Sequence, residues 1–322
     1  AGTHGKTSTS ALLTHILIEC GLAPSAFVGG LIAGYNTNFF LGESDLVVVE
    51  ADEFDRSFLH LHPTAAAITT SDADHLDIYK DQSDLNGAFE QFVRQTSGPV
   101  FSATSVGGVQ PVGLENSACW SSDERIELGR FSFQLHLGNE AHPVTLPMPG
   151  KHHVNNALLA AALAQHAGAA PKDIAKAITS FQGIARRFQV HMTAPVVLIE
   201  DYAHHPTELH ALFNSLEAMY GEREVAVLFQ PHLYSRTRDF FDGFVNELSR
   251  WKQLLMLPIY AAREEPIEGI TSEALAAQLP CALVCEPALA VETIARWKPK
   301  VVAVVGAGDI GNLVEPLKAA LQ

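Results

Sequence analysis

Ala1-Gly2-Thr3-His4-Gly5-Lys6-Thr7-Ser8-Thr9 opens the chain, and apolar residues then recur with helical spacing at Ala11, Leu12, Ile16, Leu17 and Cys20. A glycine-rich turn running into a helix is a phosphate-binding loop. The small residues let backbone N–H groups approach phosphate oxygens, and the helix N-terminus favours negative charge. Lys6 adds a mobile cation, and the Thr7 hydroxyl can reach a Mg²⁺ ion. Such a loop normally hangs from the end of a buried strand. The reading therefore expects an upstream segment to supply that strand ahead of Ala1.

Outward from the loop, composition sets the class. At 322 residues the chain exceeds the usual size of one core and is expected to form two domains. With 47% hydrophobic and 18% charged residues it reads as an ordinary globular protein. A net charge of -15 repels polyphosphate backbones, which argues against a general nucleic-acid partner and leaves local basic residues to handle any anionic substrate. No apolar run is long enough for a spanning helix, so no membrane role is expected. Cys20, Cys119, Cys281 and Cys285 show neither zinc spacing nor a small disulfide framework, and reduced thiols in a cytoplasmic protein are the economical reading.

Helix and strand patterns alternate from Lys6 to about Gln95. The runs Leu46-Val47-Val48-Val49 and Ala65-Ala66-Ala67-Ile68 read as parallel strands covered on both faces. Between Val100 and Pro149 the pattern becomes β-like, with Phe131, Phe133, Leu135 and Leu137 alternating with polar residues. Helices are expected at Val154 to His166 and at Pro171 to Phe181, the second opened by a proline suited to a first helical position. A domain boundary falls at Phe188, giving domains 1–188 and 189–322. Beyond it, strands at Val196–Ile199, Val225–Phe229, Leu254–Leu257, Ala282–Cys285 and Val301–Val305 each lead into a helical segment, the pattern of a doubly wound α/β domain.

The chemistry gathers where strands end. Leu46 to Glu50 places a carboxylate at a strand tip, where an acidic residue can meet the Mg²⁺ of a bound nucleotide, with Asp52, Glu53 and Asp55 in the same loop. Taken singly, each of these carboxylates is as readily a solvated acidic turn. Ala65–Thr69 leads into Thr70-Ser71-Asp72-Ala73-Asp74-His75-Leu76-Asp77, where His75 is a candidate metal ligand, although a lone histidine is more often structural. His204, His205 and Asp201 follow another strand, and functional and structural readings are comparable there. None of the histidine pairs has zinc spacing. Gly306-Ala307-Gly308-Asp309-Ile310-Gly311 matches a dinucleotide fingerprint but lies too near the C-terminus for the acidic residue that should follow it. Arg186-Arg187-Phe188 and Phe229 to Thr237 offer fixed cations for anions, against the simpler reading of solvated arginines.

In order along the chain, Gly2-Thr3-His4-Gly5-Lys6-Thr7, Glu50-Ala51-Asp52-Glu53, Asp72 to Asp77, Pro149-Gly150-Lys151-His152, Asn156-Ala157-Leu158, Arg186-Arg187-Phe188, Asp201 to Glu208, Phe229-Gln230-Pro231-His232, Tyr234-Ser235-Arg236-Thr237, Ala262-Arg263-Glu264 and Gly306 to Asp309 resemble the Mur ligase family over the whole length. The resemblance implies an α/β protein: a central P-loop-type ATPase domain with a parallel sheet and a small β-rich part, then a Rossmann-like doubly wound C-terminal domain. The family's N-terminal UDP-binding domain has no counterpart in these residues. The chain alone is therefore expected to bind Mg-ATP weakly and not to turn over.

The implied reaction joins L-alanine to the carboxylate of UDP-N-acetylmuramate, with ATP and Mg²⁺, through an acyl phosphate. By carry-over, Gly2, Thr3, Gly5, Lys6, Thr7, Ser8, Asn156, Arg187 and Asp201 contact nucleotide. Thr7, Glu50 and His75 serve metal, and His205, His232 and Arg236 face substrate. Lys6, His75, His205 and Arg236 would carry the catalysis, in a monomer or homodimer. His153 stands where the family usually has asparagine, and Leu233 where many relatives have arginine. Residues 81–150 contain no lysine that could be carbamylated as in several sister ligases, which favours the alanine-adding branch. Rival readings are a recycling ligase that attaches a tripeptide to the same sugar nucleotide, and a nucleotide-binding module that performs no ligation.

Overall fold

Helix α1 (Lys6–Glu19) grows directly out of the opening glycines, and its residues from Ser8 to Leu17 are all buried. A helix apolar enough to be covered on every side belongs inside a core, and α1 packs against two later helices and the first strands. Ile16, fully buried, contributes about 1.5–3 kcal/mol by leaving water, and truncating it to alanine costs about 2–5 kcal/mol. The computed structural model describes residues 1–322 except 72–78, 105–107, 116, 128–129, 149 and 222–224. It divides into two units, Ala1–Ala185 and Arg186–Gln322.

In the first unit α1 is followed by β1 (Ser25–Ile32), β2 (Thr37–Phe40) and β3 (Val47–Val49). These form one sheet in the order β2-β1-β3, with β1 antiparallel to β2 and parallel to β3. A 3-10 segment (Phe54–His60) leads to β4 (Ala66–Ile68), helix α2 (Gln82–Gln95), β5 (Val100–Ser102) and β6 (Gln110–Pro111), and β4, β5 and β6 make a second, parallel sheet. The β-like region forms an antiparallel sheet of β7 (Cys119–Glu127), β8 (Arg130–Leu137) and β9 (Glu140–Leu146). In β8, Phe131, Phe133, Leu135 and Leu137 are buried, as the alternation predicts. Helices α3 (Lys151–His166) and α4 (Pro171–Ser180) complete the unit, with Pro171 in the first turn of α4.

One expectation needs correction. β4 is buried at all three positions, but in β3 Val47 is 59% and Val49 45% exposed, while Val48 is buried. β3 is the edge strand of its sheet, and Val49 pairs with Phe27 on a face left open to solvent. An unbroken apolar run therefore did not mean two covered faces here.

The second unit contains β10 (Gln189–Met192), β11 (Val197–Asp201), α5 (Pro206–Tyr220), β12 (Val225–Phe229), α6 (Tyr234–Asp239), α7 (Phe241–Leu248), β13 (Gln253–Met256), α8 (Ser272–Ala276), β14 (Ala282–Val284), α9 (Pro287–Trp297), β15 (Val301–Val305) and α10 (Val314–Leu321). Its sheet runs β10-β11-β15-β12-β13-β14, parallel except at β10, an antiparallel edge strand that the periodicity does not announce. β15 lies between β11 and β12 and is buried at every position. The register puts Asp201, Val305 and Phe229 level with one another, so the loops after β11, β15 and β12 leave the sheet side by side. A topological switch point of this kind is where open α/β sheets bind ligands. Arg186, Arg187 and Phe188 belong to this unit. Phe188 donates its N–H to Asp201, and Arg186 donates to the carbonyls of Gly306 and Gly308. A 3-10 turn (Asp309–Leu313) follows Gly308. Among the described residues no helix is long and apolar enough to cross a membrane.

Candidate active site

The phosphate loop is laced to the end of β4. Thr3 donates its N–H to the Thr70 carbonyl at 3.1 Å, His4 donates its N–H to Thr70 Oγ1 at 2.9 Å, and the Thr69 hydroxyl donates to the His4 carbonyl. Gly2 and Gly5 have φ of 134° and 82°, a region that suits glycine. A Cβ on Gly2 would stand 2.1 Å from Thr69 Oγ1, and one on Gly5 2.5 Å from Asn156 Oδ1. These approaches explain why a glycine sits at each position. They also bring Asn156, buried on α3, against the loop. No side chain caps α1 at Gly5, so the amides of Lys6, Thr7 and Ser8 point out of the first turn, the arrangement that accepts a phosphate.

Glu50 follows β3 and turns back onto this turn. Its Oε1 accepts the Thr7 hydroxyl at 2.8 Å, and its Oε2 accepts the Gly29 N–H at 2.7 Å. A hydroxyl and a carboxylate oxygen side by side are hard oxygen donors. They fit a Mg²⁺ ion that completes its shell with water and phosphate oxygens rather than with an all-protein cage. No group of three or more His, Cys, Asp or Glu side chains among the described residues is arranged to hold a metal. His75, the second expected metal residue, lies outside the described residues. Lys6 pairs with Glu53 at 2.7 Å, an acidic partner that the loop motif does not reveal.

A cavity of about 600 Å³ adjoins Lys6 and Glu50, lined by β3, by the segment from Leu61 to Ala67 and by the inner side of α1. Its walls include Leu13, Leu17 and Phe92 rather than the outward amides of Thr7 and Ser8. The candidate phosphate site is therefore the first turn of α1 rather than this cavity.

In the second unit His204 and His232, from the loops after β11 and β12, stand with Glu208 of α5, Arg236 of α6 and Arg187, which precedes β10. Arg236 donates to His232 Nδ1 at 3.3 Å, and His232 lies 5.8 Å from the His204 ring and stacks on Tyr260. Burial, then the neighbouring His204 and Arg236, push His232 down to about 4. Burial, opposed by Glu208, also lowers His204. Both rings are thus neutral at physiological pH beside a permanent guanidinium. Glu208 accepts the His204 N–H at 2.9 Å and lies 3.5 Å from Arg187, whose guanidinium sits over Tyr202.

Two of the expected residues are already engaged in holding the backbone. Asp201 accepts the N–H groups of Phe188 at 2.7 Å and Ala203 at 2.8 Å, and burial raises its carboxyl to about 6. His205, 5% exposed, caps α5 by accepting the Thr207 N–H. His204 is the histidine of the pair that stands beside His232 and Arg236, and the sequence reading left it without a role. Position in sequence does not distinguish adjacent histidines, but the cap does, because Pro206 at the helix start puts His205 at the N-cap. Glu264, accepting Ser235 N–H at 2.9 Å and the Ser235 hydroxyl, fixes the start of α6 and hence Arg236.

Residues 1–164 match the Mur ligase middle domain, and residues 186–310 match the Mur ligase, glutamate ligase domain. The UDP-N-acetylmuramate-L-alanine ligase of Flavobacterium johnsoniae is 42% identical, aligned over 100% of this chain and 74% of its own length. That of Christiangramia forsetii is 43% identical, over 100% of this chain and 73% of its own length. Among solved structures, a UDP-N-acetylmuramate-alanine ligase from Thermotoga maritima superposes with a TM-score of 0.78 at 24% identity, covering 99% of this chain and 73% of that one. A murein peptide ligase from Psychrobacter arcticus gives 0.69 at 20% identity, over 99% of this chain and 76% of that one. At those identities the structures speak to the fold.

Proposed function

The chain belongs to the Mur ligase family, and from that premise we propose that it forms the amide between L-alanine and the carboxylate of UDP-N-acetylmuramate, at the expense of ATP, in peptidoglycan precursor synthesis. The observation that carries the alanine-adding assignment is the 42–43% identity, along the whole chain, to ligases named for that reaction. The location follows from nucleotide and nucleotide-sugar substrates and is cytoplasmic.

Each unit supplies part of the chemistry. The uncapped first turn of α1 and Lys6 receive the phosphates, and the Thr7 hydroxyl and Glu50 hold Mg²⁺, which neutralises phosphate charge when bound. The substrate carboxylate attacks the γ-phosphorus, the bond to ADP breaks, and an acyl phosphate forms. The free amine of L-alanine, formed when its ammonium gives a proton to solvent, then attacks the acyl carbon, and the tetrahedral intermediate expels phosphate as the nitrogen releases its second proton to the departing phosphate or to water. Most of this rate comes from positioning and from cations near developing charge. Arg236 and Arg187 are the fixed cations of the second unit, beside a neutral His232.

The test is phosphate release by the chain joined to the family's N-terminal domain, with Mg-ATP and UDP-N-acetylmuramate, in parallel with L-alanine and with the tripeptide L-alanyl-γ-D-glutamyl-meso-diaminopimelate. Release dependent on L-alanine supports the reading. Release only with tripeptide moves the assignment to recycling, and nucleotide binding with no release in either arm leaves a binding module.

A further inference from the structure

Lys6 is held by a buried carboxylate. Its ammonium donates to both carboxylate oxygens of Glu53, at 2.9 and 2.7 Å, with Asp52 Oδ1 3.6 Å away. The Glu53 side chain is 0% exposed, whereas that of Asp52 is 56% exposed. A carboxylate so removed from water depends on its cation, and separating the two is strongly unfavourable.

Glu53 is also fixed from behind. The Tyr79 hydroxyl, itself buried, donates to the Glu53 carbonyl at 2.7 Å. Arg56 lies over the Tyr79 ring and pairs with Asp84 on α2 at 2.6 Å. Between them Asp55 and Arg56 take left-handed backbone conformations, φ 52° and 55°, which bend the chain sharply just after Glu53. Glu53 is therefore tied to α2 and does not follow Lys6 if the lysine moves.

We propose that Glu53 is a positioning residue for Lys6, keeping the ammonium at the phosphate loop so that it meets the terminal phosphates of a nucleotide. An ammonium has three N–H donors. Lys6 keeps one on Glu53 and turns the others to phosphate, so the buried carboxylate is not stripped of its cation. The inference rests on the nucleotide reading of the loop. It assigns to Glu53 a role that its place in an acidic cluster does not suggest. With Glu53 neutral, Asp52 is the nearest remaining carboxylate, and it draws Lys6 towards solvent and off the phosphate line.

The experiment is calorimetric titration of Mg-ATP and Mg-ADP into the full chain and its Glu53→Gln and Tyr79→Phe variants, with thermal midpoints measured alongside. Glu53→Gln is expected to weaken ATP by about tenfold or more, the loss of a charge-assisted contact, and ADP by about threefold or less. Tyr79→Phe, which loosens only the carbonyl anchor, shifts ATP in the same direction by a smaller factor and decides the matter if Glu53→Gln does not fold. Tighter ATP binding would show that Glu53 sequesters the lysine instead, and equal losses for ATP and ADP would show a merely structural residue. Unchanged affinities likewise overturn the proposal. Wild-type protein that binds neither nucleotide overturns the nucleotide reading itself, a result distinct from all of these.

Discussion

The Thr7 hydroxyl donates to Glu50 Oε1 at 2.8 Å, joining the first turn of α1 to the tip of β3. The same carboxylate is pinned by the Gly29 N–H, so its second oxygen is oriented as well. Glu50→Gln preserves the shape and removes the charge a divalent ion needs. With the family's N-terminal domain joined to the chain, ATP consumption should fall by about 100-fold, and the Mg²⁺ concentration for half-maximal rate should rise. Kinetics over a Mg²⁺ series check this, and an unaltered Mg²⁺ dependence would remove Glu50 from the metal site.

Gly5→Ala should abolish nucleotide binding. The added methyl meets Asn156 Oδ1 at 2.5 Å and occupies a backbone with φ of 82°. The left-handed conformation alone costs about 1–2 kcal/mol for a residue with a Cβ. Thermal denaturation should show a loss of at least that size, and nucleotide titration should show no saturation in the wild-type range.

His232 should stay neutral well into mild acid. Its pKa is pushed down to about 4 by burial and by neighbouring His204 and Arg236. The unfolded chain binds the proton more readily, so stability is full above about pH 6.5 and is lost as pH falls towards 4. Ring resonances followed by NMR from pH 8 to 4 should show His232 still neutral at pH 6 and titrating only towards about 4. Arg236→Met should move its titration upward, and a midpoint near 6.5 in the wild type would contradict the geometry.

Asp201 gives the opposite slope. Burial lifts its carboxyl from 3.8 to about 6, so the folded unit holds more protons than the unfolded chain between those values. Stability therefore falls as pH rises through that window, by at most roughly 3 kcal/mol, and the deficit is complete above it. Relative to wild type, Asp201→Asn should gain stability as pH rises from 4 to 7. Chemical denaturation at those pH values measures the difference, and a constant difference would dispose of the claim.

Arg186 anchors the other side of the same sheet edge. It donates to the carbonyls of Gly306 and Gly308, and its Nε lies 2.8 Å from Glu200, which is 5% exposed and also meets His191 at 3.0 Å. Arg186→Met leaves that carboxylate buried with a weaker partner, and the second unit should lose about 3 kcal/mol. Urea denaturation checks this, and a change below about 0.5 kcal/mol, the range of ordinary surface substitutions, would refute it.

The sequence made some features readable because they depend on local chemistry. The five parallel strands of the second unit stand out as short apolar runs, and Val301–Val305 is buried at every position. The phosphate loop is legible because glycine, lysine and threonine each do one local task there. Long-range pairing was less accessible. Whether Val47 and Val49 are covered depends on β3 lying at a sheet edge, which no window around Leu46 contains. The hold of Glu53 on Lys6 spans 47 positions, and Glu53 looks like its acidic neighbours until burial separates it from Asp52. The division of labour between His204 and His205 turns on which ring caps α5, a matter of backbone angle rather than residue type.

The placement of β15 between β11 and β12 acts as a ruler. Neighbouring strands stand about 4.8 Å apart, so the loops leaving β11 and β12 start about 10 Å from each other, whatever residues they carry. Substitution can change which side chains span that interval, but not the spacing of the strands. Side chains close that interval, since the His204 and His232 rings, one from each loop, lie 5.8 Å apart above the Gly306 turn that leaves the strand between them.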